Sequence, residues 1–317
     1  MIHTTPLRTP FYTPSFIIMS KQDDSTSPDS DFNSIEKARI NSPNYIPITS
    51  WKEIERRKTR HAIFQYALGE KFKAPVGRML KEGAQVLDIQ CTAGAWILDM
   101  AAAYPKSKFY GVDFYDSKIT DDIPENCSFP KCKLDKRLPF DDAVFDYVFV
   151  RCCVLAIKKE DLPKLLLELK RVLKPGGYLE WLERDLKIRG GPETRKFSQN
   201  MMSTLIQAGF DSRLGNHNHT LLSNAGEFSQ TQQNLISIPL GWLWDDVVGR
   251  AFANDYRIGL QGSKVPLSEA WGISGEEYDN RLKAMVNEWN HVEKAYVNYR
   301  VVVARRSFDH IDIDDPK

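Results

Sequence analysis

From Gln85 to Leu182, short apolar runs alternate with helix-forming stretches, and this rhythm restricts the fold more than any other feature of the chain. Gln85–Ile89 reads as a strand, and a helix is expected from about Gly94 to Tyr104. Phe109–Asp113 (FYGVD) is the next strand, Cys127–Lys133 a weaker one, and Phe145–Arg151 (FDYVFVR) a strand with both faces buried. Leu162–Leu173 (LPKLLLELKRVL) gathers its leucines on one side, as an amphipathic helix does. Lys174-Pro175-Gly176-Gly177 stops that helix, and Tyr178–Leu182 resumes as a strand. Strands joined through crossover helices pair in parallel, so the sheet is mostly parallel and covered on both faces.

Past Gly190 the rhythm changes: Glu193–Ala208 and Glu276–Ala295 read as helices, Leu235–Leu240 and Tyr296–Arg305 as strands. Upstream, Trp51–Ala67 carries Ile54, Ile63, Phe64 and Ala67 at helical spacing, with Arg57, Lys58 and Arg60 expected on a solvated basic face. Ser20–Asn44 is polar and holds two prolines, too little apolar surface to offset the entropy of ordering. The chain therefore divides into a disordered leader (1–44), one domain (45–306) and an acidic tail (307–317). The first residues lack acids and contain Arg8, a faint transit-peptide signal that Pro6, Pro10 and Pro14 interrupt.

A net charge of +1 supplies no general attraction for nucleic acid or membranes. The longest apolar runs, Cys152–Ile157 and Val301–Ala304, are too short to span a bilayer. Five cysteines show no metal-ligand spacing, and an odd count favours reduced thiols in the cytoplasm.

The chemistry concentrates in VLDIQCTAGAW, Val86–Trp96. A strand ending in an acid (Asp88), then a tight turn into a helix, forms the ligand-binding corner of doubly wound sheets. Asp113 ends the second strand roughly 20 residues on, where an acid accepts from ribose hydroxyls. Asp135 follows the third strand and is a candidate neighbour of a nucleobase.

In this order the segments resemble the class I S-adenosylmethionine-dependent methyltransferases: VLDIQCTAG, the acid in GVDFYDS, the acid in LDKRLPFDD, FDYVFVR and LKPGGYLEWLE. ERRKTRHAIFQYAL, Arg151 closing the fourth strand, GGYLEWLE and IPLGW are similar to the fungal LaeA-like branch. The resemblance runs from Tyr45 to Arg306. It implies a Rossmann-like α/β sheet of order 3-2-1-4-5-7-6 with strand 7 antiparallel, and S-adenosyl-L-methionine as cofactor. It further implies a cofactor site of Asp88, Gln90, Gly94, Asp113, Asp135 and Arg151. Asp113 would take the ribose, Asp88 and Gly94 the methionine portion, and Asp135 the adenine. The acceptor would be a small molecule or a protein, in secondary metabolism or its regulation, with a regulatory protein partner and a nuclear location both open.

One departure stands out. The family turn reads Asp-x-Gly-x-Gly-x-Gly, whereas Gln90 and Thr92 replace its first two glycines here. A left-handed backbone at Gln90 would cost on the order of 1 kcal/mol. The alternative reading is a non-catalytic methyltransferase-like protein that binds partners. A nicotinamide oxidoreductase would need Gly-x-Gly-x-x-Gly, which QCTAGA does not supply.

Other polar residues admit two readings each. Arg151 is a candidate anchor for a carboxylate, either the ligand's or that of Glu183, or else a structural ion pair. His61 is a candidate ligand contact or base, though a lone histidine on an apolar helix is more often structural. Cys152 and Cys153 lie where such enzymes face substrate, but no Pro-Cys motif marks a nucleophile, so buried thiols are expected. His217 and His219 lack a third metal ligand, and a loop is their expected setting. Trp181, Trp242, Trp244 and Trp271 are candidates for lining a substrate cavity, with core packing preferred for Trp181. Trp242–Gly262 and the N-terminal helix are expected to form a lid.

Overall fold

A computed structural model describes residues 51–113, 119, 122–131, 137–226 and 228–308. The leader, nearly all of the acidic tail and Asp135 lie outside them.

Helix α1 (Trp51–Leu68) and the short α2 (Gly77–Glu82) lead into β1 (Gln85–Ile89). Then come α3 (Ala95–Ala103), β2 (Lys108–Val112), β3 (Cys127–Ser128) and β4 (Phe145–Arg151). α4 (Leu162–Val172) precedes β5 (Leu173–Arg189), and α5 (Pro192–Gln207) and α6 (Leu214–Asn224) precede β6 (Phe228–Leu240). The chain closes with α7 (Val248–Gly262), α8 (Lys264–Trp271), α9 (Gly275–His291) and β7 (Ala295–Arg306).

All seven strands form one sheet of order β3-β2-β1-β4-β5-β7-β6. β1 pairs in parallel with β2 and β4, whereas β7 runs antiparallel between β5 and β6. The expected topology is thus the observed one. β1 and β4 are near-continuously apolar because helices cover both sides: Val86, Leu87, Ile89, Tyr147, Val148 and Val150 have no exposed surface. α3 lies against one face through Trp96, whose ring stacks on Phe149 with centroids 4.2 Å apart.

Two buried carboxylates tie connections to this sheet. Glu180 on β5 accepts from the backbone N–H groups of Lys73 and Ala74 and from the Tyr147 hydroxyl, all within 3.0 Å. Glu288 on α9 accepts from the N–H of Thr194 at 2.9 Å, in the first turn of α5, where an anion satisfies donors that have no helical partner. Gly191 is required beside it, since a Cβ there would lie 2.1 Å from Glu288 Oε1.

β6 begins seven residues earlier than the pattern suggested, at Phe228. Its first half, FSQTQQN, is polar, and pairing with β7 rather than apolar alternation makes it a strand. α6, α7 and α8 lie in stretches with no expected helix, and His217 and His219 sit on α6 rather than in a loop. His217 Nε2 there meets Asp211 Oδ2 at 2.8 Å.

Candidate functional site

β1 ends at Ile89, and the chain turns into α3 through Gln90, Cys91, Thr92, Ala93 and Gly94. Gln90 has φ 61°, Thr92 φ 54° and Gly94 φ 72°, so all three alternate positions are left-handed. Only Gly94 takes that conformation freely. Gln90 and Thr92 each store about 1 kcal/mol of strain. Backbone bonds hold the turn: Cys91 N–H donates to Val112 O at 3.0 Å and Gly94 N–H to Cys91 O at 2.9 Å. Thr92 N–H donates to Asp113 Oδ2 at 2.8 Å, which binds the end of β2 to the turn. The path that glycines would trace is therefore kept by residues that are not glycine.

At the end of β1, Asp88 is fully buried, and among the described residues neither carboxylate oxygen has a hydrogen-bond partner. Burial pushes its carboxyl up to about 7, against the pull of Arg151 and with the added repulsion of Asp113. The Gln90 side-chain Oε1 is likewise buried without a partner. Unsatisfied buried acceptors are rare in folded proteins, and three at one turn mark a place where donors from a ligand would be favoured.

Arg151, at the end of β4, places Nη1 3.2 Å from His61 Nδ1. The guanidinium is a permanent donor, so Nδ1 accepts. Nε2 then carries the proton toward Asp99 Oδ2, 3.3 Å away. Both ring nitrogens are engaged, and His61 orients Arg151 rather than offering a free base. Burial lowers its basicity, opposed by the Asp99 hydrogen bond. For Asp99 burial works upward, but His61 and Lys71 hold its carboxyl at about 2.

Gln90, His61 and Arg151 face a cavity of about 130 Å³ at the carboxyl ends of β1, β4 and β5. Gln90, Thr92, His61, Arg151 and Cys152 line one side, and Arg57, Arg60, Arg184 and Tyr256 contribute polar groups elsewhere. Phe64, Leu155, Leu186, Met201, Leu205 and Leu260 supply apolar walls. Asp88, Asp113 and Gly94 are not part of this lining, and Asp113 holds the turn through the Thr92 N–H.

Several expectations are corrected here. The basic residues of α1 are not a solvated face: Arg60 and Arg57 line the cavity, and Arg60 Nη2 meets Asp255 Oδ2 of α7 at 2.6 Å. Arg56 joins them, 2.8 Å from Asp255 Oδ1. Glu183 is not the partner of Arg151, because it accepts from the N–H groups of Cys153 at 2.8 Å and Val154 at 3.1 Å. None of the four tryptophans lines the cavity: Trp181 is fully buried, while Trp242 and Trp244 are exposed. Burial pushes the Cys152 thiol up to about 11, the opposite of what a nucleophile needs. α1 and α7 together wall the cavity, through Arg57, Arg60, Tyr256 and Gly259, in the region expected to carry a lid.

Sequence reasoning missed Arg184, Tyr256 and Asp255. No local signal could have found them, because their partners lie on other elements: Arg184 Nη1 donates to the Tyr256 hydroxyl at 2.6 Å, 72 residues away. Among the described residues no three His, Cys, Asp or Glu side chains converge to hold a metal ion, and no helix is long and apolar enough to cross a membrane.

Residues 86–177, from β1 into β5, match the methyltransferase domain family. The chain carries a class I methyltransferase domain. The turn after β1 and the acids at the ends of β1 and β2 fall inside that match, whereas β6 and β7 lie beyond it. S-adenosylmethionine is the cofactor of this class of domain. The methyltransferase domain and its flanks are also similar to curated proteins. One is the secondary metabolism regulator LAE1 of Pyricularia oryzae, 27% identical over 66% of this chain and 66% of that protein. Another is the secondary metabolism regulator laeA of Coprinopsis cinerea, 30% identical over 43% of this chain and 35% of that protein. A third is the demethylmenaquinone methyltransferase of Bacillus subtilis, 30% identical over 39% of this chain and 56% of that enzyme. The matched regions thus span between about a third and two thirds of these relatives' lengths.

Proposed function

We propose that the protein is an active S-adenosylmethionine-dependent methyltransferase, acting on a small-molecule or protein acceptor in secondary metabolism or its regulation. The observation that carries this reading is the left-handed path at Gln90, Thr92 and Gly94 above the unpartnered Asp88 carboxylate. A chain that had abandoned the ligand would relax the strained turn, since strain of this kind persists where the surrounding structure holds it for a purpose.

On this reading Asp113 accepts from the ribose, Asp88 and the turn amides hold the methionine portion, and Arg151 pairs with its carboxylate. Asp135 would lie beside the adenine. The bound cofactor supplies a methyl group on a cationic sulfur, and its charge is lost on transfer. The protein therefore needs no strong electrophile, and most of its contribution is placement of the acceptor in line with that methyl group. The apolar walls from Leu155, Leu186, Met201 and Leu260 exclude water and orient the acceptor. Similarity to two secondary metabolism regulators supports the biological setting.

The test is calorimetric titration with S-adenosylmethionine and S-adenosylhomocysteine. Micromolar binding that is lost in Asp113→Ala is the expected result, and a folded sample that binds neither ligand would overturn the reading. One observation favours a second reading, a non-catalytic binding protein: the residues at positions 90 and 92 line the cavity where glycines would leave room. Binding that appears only after Gln90→Gly and Thr92→Gly would decide for it.

A further inference from the structure

Arginine is the side chain that recurs around this cavity. Arg56, Arg57, Arg60, Arg151 and Arg184 all line it, and among the described residues no Asp or Glu does. Among the described residues two carboxylates form ion pairs with them from outside the lining, while Asp88 and Glu183 act on Arg151 and Arg184 through space. Glu53 meets Arg56 and Arg57, and Asp255 meets Arg56 and Arg60. The contacts of Arg151 are different: the His61 ring and the faces of Phe64 and Phe149. Arg184 has the Tyr256 hydroxyl at 2.6 Å and the Tyr256 ring at 5.4 Å. A tyrosine satisfies one donor of a guanidinium and none of its charge.

The arginines occupy two regions. Arg151 closes β4, where its Nη1 meets His61 of α1, and it feels the charge of Asp88 at the end of β1. Arg184 lies further along β5, in register with Tyr299 of β7 and hydrogen-bonded to Tyr256 of α7, and the charge of Arg60 acts on both arginines. A cofactor carboxylate on Arg151 would leave the Arg184 guanidinium with no carboxylate in hydrogen-bonding contact among the described residues, Glu183 acting on it only through space. Burying positive charge against Leu186, Met201, Leu205 and Leu260 is costly unless an anion completes the site.

We infer that the methyl acceptor, on the reading proposed above, is an apolar molecule bearing an anionic oxyacid group, a carboxylate or a phosphate. Arg184 binds that group on the α7 side of the cavity, supported by Arg60, while the leucine and methionine walls hold the apolar body. The planar guanidinium fork suits either oxyacid, since both present two oxygens at matching separation.

The experiment is calorimetry on the full chain with octanoate, octyl phosphate and octanol as probes. Each is titrated with and without saturating S-adenosylhomocysteine, for the wild type and for Arg184→Gln. This substitution breaks no side-chain bond to a carboxylate, because the hydrogen-bond partner of the Arg184 guanidinium is a tyrosine and Glu183 keeps the N–H donors of Cys153, Val154 and residue 184. At least one anionic probe should bind about tenfold or more tightly than octanol, as one charge-assisted hydrogen bond provides. That preference should vanish in Arg184→Gln, while S-adenosylhomocysteine affinity stays. The tighter of the two anions identifies the head group. Equal binding of octanol, or no binding of either anion, overturns the inference. A parallel loss of S-adenosylhomocysteine binding in Arg184→Gln also overturns it, by assigning the arginine to the cofactor. If the wild type fails to bind S-adenosylhomocysteine, the proposed enzymatic function falls, and anion preference in the cofactor-free protein still decides the site.

Discussion

The backbone N–H of Thr92 donates to Asp113 Oδ2 at 2.8 Å, so the acid that ends β2 also fastens the left-handed turn that ends β1. One carboxylate thereby serves the shape of the site and, as proposed, the recognition of ribose. The two roles separate by substitution. Asp113→Asn keeps an acceptor for Thr92 and should hold stability to within about 0.5 kcal/mol, whereas Asp113→Ala should cost about 1–2 kcal/mol by stranding that donor. Both should weaken S-adenosylmethionine binding by about tenfold or more, because each removes the charged acceptor. Urea unfolding and calorimetry read the two effects. Wild-type affinity in Asp113→Asn would remove the ribose role.

The strain at Gln90 makes a second prediction. With φ at 61°, the residue sits where glycine is comfortable and a β-branched side chain is not. Gln90→Gly should raise stability by up to about 1 kcal/mol, less the extra entropy of glycine in the unfolded chain. Gln90→Val should lower it by more than about 1 kcal/mol. Thermal melts of the two variants should therefore move in opposite directions, and a drop in both would mean that Gln90 is not strained.

Asp88 predicts a pH dependence. Its folded carboxyl is raised to about 7 from an ordinary value of 3.8, with burial as the main cause. The folded state then holds a proton that the unfolded state has lost between those two pH values. Stability contributed by this group is complete below pH 3.8 and falls as pH rises toward 7. Glu180 behaves the same way, raised to about 7 by burial against its three hydrogen bonds. Asp88→Asn should flatten part of the decline in stability between about pH 4 and 7, leaving the share due to Glu180. Parallel curves for variant and wild type in cofactor-free protein would show that Asp88 is not shifted.

Asp255 joins α7 to α1 through Arg56 at 2.8 Å and Arg60 at 2.6 Å. Burial opposes its charge, and the two arginines more than compensate, holding its carboxyl low. Asp255→Ala would leave both guanidiniums without this partner in a nearly dry site, a change that costs about 3–5 kcal/mol when a buried pair is broken. Hydrogen exchange should rise first in α1 and α7, since these helices lose their link while the sheet keeps its own. Uniform loss of protection across the sheet would contradict that placement.

Legibility in the sequence followed the range of the forces involved. Phe145–Arg151 and Leu162–Val172 were readable because a run of apolar residues reports burial directly, residue by residue. The polar first half of β6 was not, because its strand conformation is imposed by hydrogen bonds to β7 about 70 residues away. At the site, the turn and its acids announced themselves through order and spacing. The ring of arginines did not: α1 read as an ordinary basic face until Asp255, 195 and 199 residues distant from Arg60 and Arg56, was brought against it.

The sequence by itself determined the parallel core of the sheet and the turn between β1 and α3, which follow from local periodicity and from residues adjacent in the chain. The order of the strands was legible only through the family resemblance. Only the tertiary structure decided that Gln90 and Thr92 keep a glycine-like path, that His61 spends both nitrogens on Asp99 and Arg151, and that Arg184 faces Tyr256 across a cavity. The physical reason is that strain and charge pairing depend on which distant groups close around a residue, and no window of neighbouring residues carries that information.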